Sequence, residues 1–230
     1  MERRDFLEFF SFGGKKREAA PPPPPPQRWV MVVDLRRCVG CQACTVACAM
    51  ENGTPLGEFR TSVSDFETLE QGRPRKILLP ALCNHCDNPP CVPGCPAKAT
   101  FRRADGLVLV DAQRCVGCGY CVLNCPYSAR FLNRETRSAD KCSLCVHRLD
   151  AGLLPACVET CIGKARTVGD VNDPASAAAR LLAEHKAVTL APQAGAKPQV
   201  FYIGLPEGMA LPQADPAVAR ERRVTEETFR

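Results

Sequence analysis

The chain has 230 residues, a formal net charge of +5 and sixteen cysteines, and only 6% of its residues are aromatic. One Trp and three Tyr provide few large side chains for a conventional core, so a small domain of this kind needs covalent or metal cross-links. The mild positive charge is not accompanied by an aromatic–basic RNA motif, and nucleic-acid binding is therefore not expected.

The N-terminal segment, residues 1–27, is expected to be a mobile arm. Its first ten residues, MERRDFLEFF, contain an arginine pair followed by Phe-Leu, as in a twin-arginine export signal. A working signal needs an apolar region of roughly 7–15 residues, and Glu8 and the later glycines and lysines interrupt it. A signal or its remnant is the alternative interpretation. The run of prolines from Pro21 to Pro26 is typical of a polyproline II spacer.

The next segment, residues 28–170, is expected to be the body of the protein and contains every cysteine. Residues 33–48 and 110–125 share a Val-Asp start, an Arg before the first Cys, a Cys-Val-Gly-Cys core and all cysteine positions, at an offset of 77. The cysteine segments that begin at Cys83 and Cys142 resemble each other in the same way. Such internal repeats indicate a duplicated supersecondary unit. In chain order the cysteine groups are group I (Cys38, Cys41, Cys44, Cys48), group II (Cys83, Cys86, Cys91, Cys95), group I′ (Cys115, Cys118, Cys121, Cys125) and group II′ (Cys142, Cys145, Cys157, Cys161).

The cysteine spacing favours iron–sulfur clusters over the alternatives. Groups I and I′ have the pattern C-x2-C-x2-C-x3-C, which is typical of cubane clusters in bacterial ferredoxins. Gly40 and Gly117 suit the tight turns between the ligands. Disulfides fit poorly because this spacing crowds several thiols together, whereas zinc remains conceivable for groups II and II′ taken alone. Four bound clusters would also change the net charge to about −3.

The fourth cysteine of each ferredoxin-type run is expected to serve a second cluster. In two-cluster ferredoxins this cysteine binds the other cluster, because a short helix carries it away from the first. Cys48 and Cys125 are thus expected to leave the clusters of the three cysteines before them. Pro96 and Pro126 follow the last cysteines of groups II and I′, whereas no proline follows Cys48.

Residues 51–80 are expected to form a β-hairpin insertion. The segments RTSVSDFETL and RPRKILLPAL have the pattern of two strands joined through residues 70–72. This hairpin would either contact a partner or cover one cluster, and the sequence favours neither.

The C-terminal segment, residues 171–230, is expected to contain a helix and an extended tail. Asp173 is the predicted N-cap and Pro174 the first helical residue. The predicted apolar side of this helix docks on the body or on a partner, and its residues are Ala178, Leu181, Leu182 and Val188. The segment QVFYIGL is predicted to be a short strand or an extended segment.

Several polar side chains near the cysteines have two possible roles. His85 and His147 are expected to make hydrogen bonds rather than to bind metal, because the cysteines already suffice as ligands. Lys141 and Arg148 would raise a nearby reduction potential or offset the negative charge of the clusters. No nucleophile–base arrangement, Walker loop or dinucleotide fingerprint is present, so the chain is not expected to be an enzyme.

Four stretches carry a resemblance to a known family. They are DLRRCVGCQACTVAC, LCNHCDNPPCVPGCPAKATF, RCVGCGYCVLNCPYSARFLNRET and ADKCSLCVHRLDAGLLPACVETC. They resemble the four-cluster iron–sulfur subunits of the complex molybdoenzymes, whose members serve reductases for tetrathionate, polysulfide, dimethyl sulfoxide and similar acceptors. The residues between the cysteines favour the tetrathionate branch, whose iron–sulfur subunit is called beta. The resemblance covers roughly residues 29–205.

The resemblance implies an α+β fold of two interlocked ferredoxin-like units, a duplicated dicluster ferredoxin, in which group I pairs with group II′ and group II with group I′. It implies four [4Fe–4S] clusters, each held by four cysteines. Carried onto this sequence, the ligand sets are Cys38, Cys41, Cys44 and Cys161 (site 1); Cys48, Cys142, Cys145 and Cys157 (site 2); Cys83, Cys86, Cys91 and Cys125 (site 3); and Cys95, Cys115, Cys118 and Cys121 (site 4).

The resemblance also implies partners and a location. Electrons would pass from a quinol-oxidising membrane-anchor subunit to a molybdopterin-containing catalytic subunit. The complex would lie at the membrane, on the periplasmic face, with a cytoplasmic location as the alternative because the twin-arginine-like signal lacks an apolar region. No segment of this chain is expected to span the membrane.

Three alternatives remain open on the sequence. The chain could serve another sulfur or oxyanion reductase, such as one for polysulfide, thiosulfate, selenate or arsenate. It could be a free soluble polyferredoxin without a fixed partner, or a zinc-binding scaffold.

Overall fold

The computed structural model describes residues 26–206 apart from Gln71. The twin-arginine-like motif, most of the proline run and the last part of the tail therefore lie outside the described residues. The regular elements are β1 (Trp29–Asp34), a 3-10 turn (Leu35–Arg37), α1 (Ala43–Asn52), β2 (Thr61–Glu70), β3 (Arg73–Leu82), β4 (Thr100–Arg102), β5 (Val108–Val110), α2 (Tyr120–Leu123), β6 (Arg130–Asn133), β7 (Ser138–Lys141), α3 (Val146–Asp150), α4 (Ala156–Glu159), β8 (Arg166–Asp170), α5 (Ala177–Glu184), β9 (Ala187–Val188), a second 3-10 turn (Pro192–Ala194) and β10 (Val200–Ile203).

The largest sheet has four strands in the order β8-β1-β10-β9. Strand β1 pairs antiparallel with β8 and parallel with β10. Its sequence, WVMVVD, is almost entirely apolar because both faces of the strand are covered. Val30 and Val32 pack towards α5 on one face, whereas Met31 and Val33 pack among the buried cysteines on the other. Strand β1 thus lies between α5 and the cysteine-rich layer, with alternate residues facing each of them.

The predicted C-terminal helix is present, but its predicted start is wrong. Helix α5 begins at Ala177, and the side chain of Ser176 caps it by accepting a hydrogen bond from the backbone N–H of Ala179. Asp173 instead forms the turn before the helix, where its carboxylate accepts from the backbone N–H of Ala175. The real cap therefore lies three positions after the predicted one.

The docking of α5 on the body is confirmed for most of the predicted residues. Ala178 is fully buried, and Leu181 and Leu182 pack beside it against β1 and β10. Val188 is not part of the helix, which ends at Glu184, and belongs to β9.

The segment that contains VFYIGL forms β10, which confirms the predicted strand. It lies parallel to β1, with Val32 opposite Phe201. Strand β8 ends at the predicted boundary at residue 170. Strands β9 and β10 follow that boundary and belong to the same sheet as β1 and β8.

The predicted hairpin is formed by β2 and β3, which pair from Thr61 opposite Leu82 to Glu70 opposite Arg73. Its strands begin later than the expected start of the insertion at residue 51, because residues 51 and 52 complete α1. Ile77, Leu79 and Leu82 are buried. The hydroxyl group of Tyr202 in β10 donates a hydrogen bond of 2.9 Å to the carbonyl oxygen of Pro80. The hairpin is therefore held against the main sheet.

The remaining strands form two small hairpins, β4–β5 and β6–β7. Small sheets and short helices agree with the expected mixed α+β class. Among the described residues, no helix has both the length and the apolar character required to cross a membrane.

Candidate metal centres

The cysteines predicted for site 1 lie around one cavity. Cys38, Cys41, Cys44 and Cys161 line it. The cavity has about 350 Å³ of space, partly open to solvent. The loop before α1, the first turn of α1 and the turn before β8 supply these thiols. Cys41 is an exposed residue, whereas Cys44 is buried.

The cysteines predicted for site 2 lie around a second cavity. Cys48, Cys142, Cys145 and Cys157 line about 260 Å³ of space. All four are buried. Because Cys44 and Cys48 both belong to α1, this helix contributes a thiol to each of the two cavities.

The cysteines predicted for site 3 influence one another electrostatically. Burial raises the pKa of Cys86 to about 12, and the nearby thiols of Cys83, Cys125 and Cys91 contribute to that rise. Burial also raises the pKa of Cys125. The structure therefore brings the first three thiols of group II and the last thiol of group I′ together.

The structure shows fewer contacts among the cysteines predicted for site 4 than among those of the other three sites. Cys121 is buried in an apolar cluster with Cys91, and Cys115 packs against that cluster. Cys118 is an exposed residue. The Sγ of Cys95 contacts its own turn, where it accepts a hydrogen bond from the backbone N–H of Ala99 at 3.2 Å.

A recurring backbone turn follows the last cysteine of three groups, and in two of them it donates a hydrogen bond to that cysteine. The third residue after that cysteine has a left-handed backbone, with φ of 52° at Lys98, 48° at Ser128 and 51° at Lys164. In groups II and II′ the N–H of the following alanine donates to the sulfur, from Ala99 to Cys95 and from Ala165 to Cys161, each at 3.2 Å. Such donors favour the thiolate form of a cysteine.

Cys48 receives a side-chain donor instead. It lies inside α1, and the amide nitrogen of Asn52 lies 3.6 Å from its Sγ and 3.9 Å from the Sγ of Cys145. Arg60 donates a hydrogen bond of 2.8 Å to the side-chain oxygen of Asn52. An ion pair with Asp140, also at 2.8 Å, fixes Arg60 in turn.

The donor chemistry of these sets fits a polynuclear cluster with a positively charged core. Burial raises the pKa of Cys48 to about 12, with Cys157 and Cys145 adding to the effect, so thiols packed this closely need a bound cation to become the thiolates that bind metal. Among the described residues, no three His, Cys, Asp or Glu side chains meet closely enough to hold a single ion. The thiols of sites 1 and 2 surround an open space instead.

The histidines have the hydrogen-bonding roles expected of them. His85 is buried, and its Nδ1 accepts a hydrogen bond of 3.1 Å from the backbone N–H of Val108. Burial, followed by the charges of Lys141 and Arg130, lowers its pKa well below the usual value, which keeps the ring neutral. His147 contacts the carboxylate of Glu51 at 2.7 Å.

Two residues that contact cysteine sulfurs, Arg130 and Arg166, were not predicted from the sequence. Both are buried, and each donates a hydrogen bond to a cysteine sulfur. Each follows the last cysteine of its group by five residues and comes directly after the alanine of the recurring turn. That shared spacing was the available signal.

Comparison with known proteins supplies independent support. A family described as a 4Fe-4S dicluster domain matches residues 75–171. The chain is 55% identical to a tetrathionate reductase subunit of Salmonella typhimurium, over 84% of this chain and 80% of the relative. It is 45% identical to a tetrathionate reductase subunit of Archaeoglobus fulgidus, over 77% of this chain and 83% of the relative. It is 37% identical to a selenate reductase subunit of Mesobacillus selenatarsenatis, over 76% of this chain and 72% of the relative.

Proposed function

Because the chain belongs to the family of iron–sulfur subunits that includes these tetrathionate reductase subunits, we propose that it carries electrons through four [4Fe–4S] clusters to a partner that reduces tetrathionate. The chain is an electron-transfer subunit and not a catalytic one. The match to a 4Fe-4S domain supports the cluster type, and the number of clusters is the proposed part.

The burial of the cysteines is the observation that carries the proposal. The second cysteines of groups I and I′, Cys41 and Cys118, are the two cysteines classed as exposed residues. All four cysteines of site 2 are buried, as are three of the four at site 3. A path with two shielded inner sites and two accessible outer sites suits a protein that receives electrons at one end and delivers them at the other.

Contacts between neighbouring sets support the order from site 1 to site 4. Helix α1 holds Cys44 of site 1 and Cys48 of site 2. Cys142 of site 2 lies near Cys83 of site 3, since the Cys83 thiol is among the groups that raise its pKa after burial itself. Cys91 of site 3 and Cys121 of site 4 share one apolar cluster.

In this arrangement the two repeats are interlocked. Site 1 would need thiols from both group I and group II′, and α1 packs against α4, which carries Cys157. Neither half of the cysteine-rich body would then complete its sites alone.

The protein's own residues provide the ligands, the hydrogen bonds to sulfur and the exclusion of water. A bound [4Fe–4S] cluster accepts and releases single electrons, and its potential depends on charge, hydrogen bonds and exposure. The turn alanines and Asn52 supply N–H donors to the cysteine sulfurs. The hairpin residues Val63 and Pro80 line site 1, which favours the covering role considered for the hairpin.

The proposed partners follow from the family. A quinol-oxidising membrane-anchor subunit would supply electrons, and a molybdopterin-containing subunit would reduce tetrathionate to thiosulfate. The same role in another sulfur or oxyanion reductase is the alternative, which the likeness to the selenate reductase subunit keeps open. We place the complex at the periplasmic face of the membrane, with the cytoplasmic face as the alternative.

Purification of the native complex tests the proposal. The proposal requires two further subunits, a quinol-oxidising membrane anchor and a molybdopterin-containing subunit. It also requires that the complex reduce tetrathionate with electrons from a quinol analogue. Faster reduction of selenate, polysulfide or arsenate than of tetrathionate would assign the chain to the alternative partner. A chain that purifies alone from membranes and cytosol alike would indicate a free polyferredoxin.

A further inference from the structure

Arg166 bridges two cysteines that belong to different sites. It lies at the start of β8 and is 3% exposed. Its Nη2 donates to the Sγ of Cys44, a site 1 cysteine, at 3.4 Å. Burial raises the pKa of Cys157, a site 2 cysteine, and the charge of the same nearby guanidinium opposes that rise. A hydrogen bond of 2.9 Å to the hydroxyl of Thr61 helps to hold it in place.

Arg130 makes the corresponding bridge between sites 3 and 4. It lies at the start of β6 and is 5% exposed. Its Nη2 donates to the Sγ of Cys91, a site 3 cysteine, at 3.0 Å. Burial lowers the pKa of the guanidinium, and the nearby thiols of Cys91, Cys83 and Cys121, the last a site 4 cysteine, raise it. A threonine again supports the arginine, since Nη1 lies 3.3 Å from the hydroxyl of Thr100.

The two bridges use equivalent cysteines but arginines from non-equivalent positions. Cys44 and Cys121 are the third cysteines of groups I and I′, and Cys157 and Cys91 are the third cysteines of groups II′ and II. Arg166, however, follows group II′, whereas Arg130 follows group I′. A positive charge therefore lies beside equivalent cysteines in both bridges, although the two arginines follow different cysteine groups.

Neither arginine is explained by an ordinary ion pair. Within the part of the chain that the structure describes, no carboxylate lies at salt-bridge distance from either guanidinium. A buried cation without a counter-charge is strongly destabilising. The thiolates and the clusters they would hold are the only anionic groups that these contacts supply.

We propose that Arg166 and Arg130 are positioning residues that raise the reduction potentials of the two clusters each of them bridges. The proposal rests on the function proposed above. Each electron that enters a site adds one negative charge beside the guanidinium, and a fixed cation in a buried environment stabilises that charge. One arginine thus adjusts both members of a neighbouring pair and keeps the transfer between them from becoming unfavourable.

Redox titration of the purified holoprotein, followed by EPR, tests the proposal on Arg166→Gln and Arg130→Gln. Arg166→Gln is expected to lower the equilibrium constants for reduction of sites 1 and 2 about tenfold, or 59 mV for a one-electron couple, and to leave sites 3 and 4 unchanged. Arg130→Gln is expected to do the reverse. Arg180→Gln is the matched control, because Arg180 is exposed on α5 and its loss changes the charge equally without changing any potential.

Charge-retaining variants separate the electrostatic role from a structural one. Arg166→Lys and Arg130→Lys are expected to keep iron content and to leave the potentials of their two sites closer to the native values than the glutamine variants do. If a glutamine variant loses iron, the lysine variant decides, and a tenfold fall there would overturn the proposal. Unchanged potentials in a loaded glutamine variant, or equal shifts at all sites, would overturn it as well. The iron content and EPR signals of the native protein test the number of clusters separately.

Discussion

Helix α1 and helix α2 are copies of one repeated motif, yet they present their last cysteine in different ways. Both begin after a residue with a left-handed backbone, Gln42 with φ of 59° and Gly119 with φ of 73°, at the same offset as the cysteines. Helix α1 then continues for ten residues, whereas α2 has four. The position after the fourth cysteine differs between them, with Ala49 in the first copy and Pro126 in the second.

This single difference changes the donor that reaches the cysteine sulfur. Proline cannot continue a helix, so the chain turns after Cys125. Burial raises the pKa of that thiol, and the nearby backbone of Ala129 opposes the rise. Around Cys48 the backbone N–H groups remain in the helix, and Asn52, one helical turn further on, provides a side-chain amide instead. The polar group beside the fourth sulfur is thus a backbone N–H in the second copy and a side-chain amide in the first.

The largest effect is expected from replacing the fourth cysteines of the two copies, Cys48 and Cys125. Cys48→Ser should abolish or alter the EPR signal of site 2, because its partners line the same cavity, and Cys125→Ser should alter that of site 3. Cys38→Ser and Cys161→Ser should alter one common signal, that of site 1. If Cys38→Ser and Cys48→Ser changed one signal and Cys161→Ser another, the predicted ligand sets would be wrong.

A proline at the position of Ala49 would force the first copy to resemble the second. Ala49 lies inside α1, where a proline removes a backbone hydrogen bond and clashes with the preceding turn, at a cost of about 3 kcal/mol. We expect thermal unfolding of the holoprotein at a markedly lower temperature and loss of the site 2 signal before the others.

Pro126→Ala is the matched control for that variant. It releases the constraint after Cys125 without breaking a helix, so its effect on unfolding should be much smaller. Equal destabilisation by the two substitutions would show that the helix after Cys48 has no special role.

Replacing the side-chain donor should produce a smaller and more local change. Asn52→Ala removes the amide that lies near Cys48 and Cys145 and should lower the potential of site 2 by the equivalent of about 1 kcal/mol. EPR-monitored titration measures this shift, with the exposed Asn172 as the control for Asn→Ala. A shift at site 3 of the same size would contradict the assignment of the donor.

The smallest effect is expected on the opposite face of the main sheet. Ser176→Ala removes the cap of α5 and should destabilise the fold by about 1 kcal/mol. All the cluster potentials should stay unchanged, because α5 packs on the face of β1 that points away from the cysteines. A change in any potential would show that stability and electron affinity are not separable here.

The sequence predicted the cysteine repeat, the hairpin and the family because these depend on local spacing. The two strand patterns on either side of residues 70–72 and the C-x2-C-x2-C-x3-C runs are both recognised from residues that are close in the sequence. The parallel pairing of β1 with β10 was not predicted, since it joins residues far apart in the chain. The cap of α5 was misplaced because Asp173, Ser176 and the intervening proline offer more than one start for a helix.

The buried arginines were missed for a related reason. Their spacing from the last cysteine is visible in the sequence, but an arginine in a chain with thirty lysines and arginines is ordinarily exposed. Only packing shows that Arg130 and Arg166 point inward and reach sulfurs supplied by distant segments.

The content of iron and acid-labile sulfide in the anaerobically purified protein tests the central claim most directly. Four [4Fe–4S] clusters predict about sixteen iron atoms and about sixteen sulfides per chain, together with brown absorbance and EPR signals on reduction. A colourless protein with stoichiometric zinc, or an iron content near that of two clusters, would contradict the account.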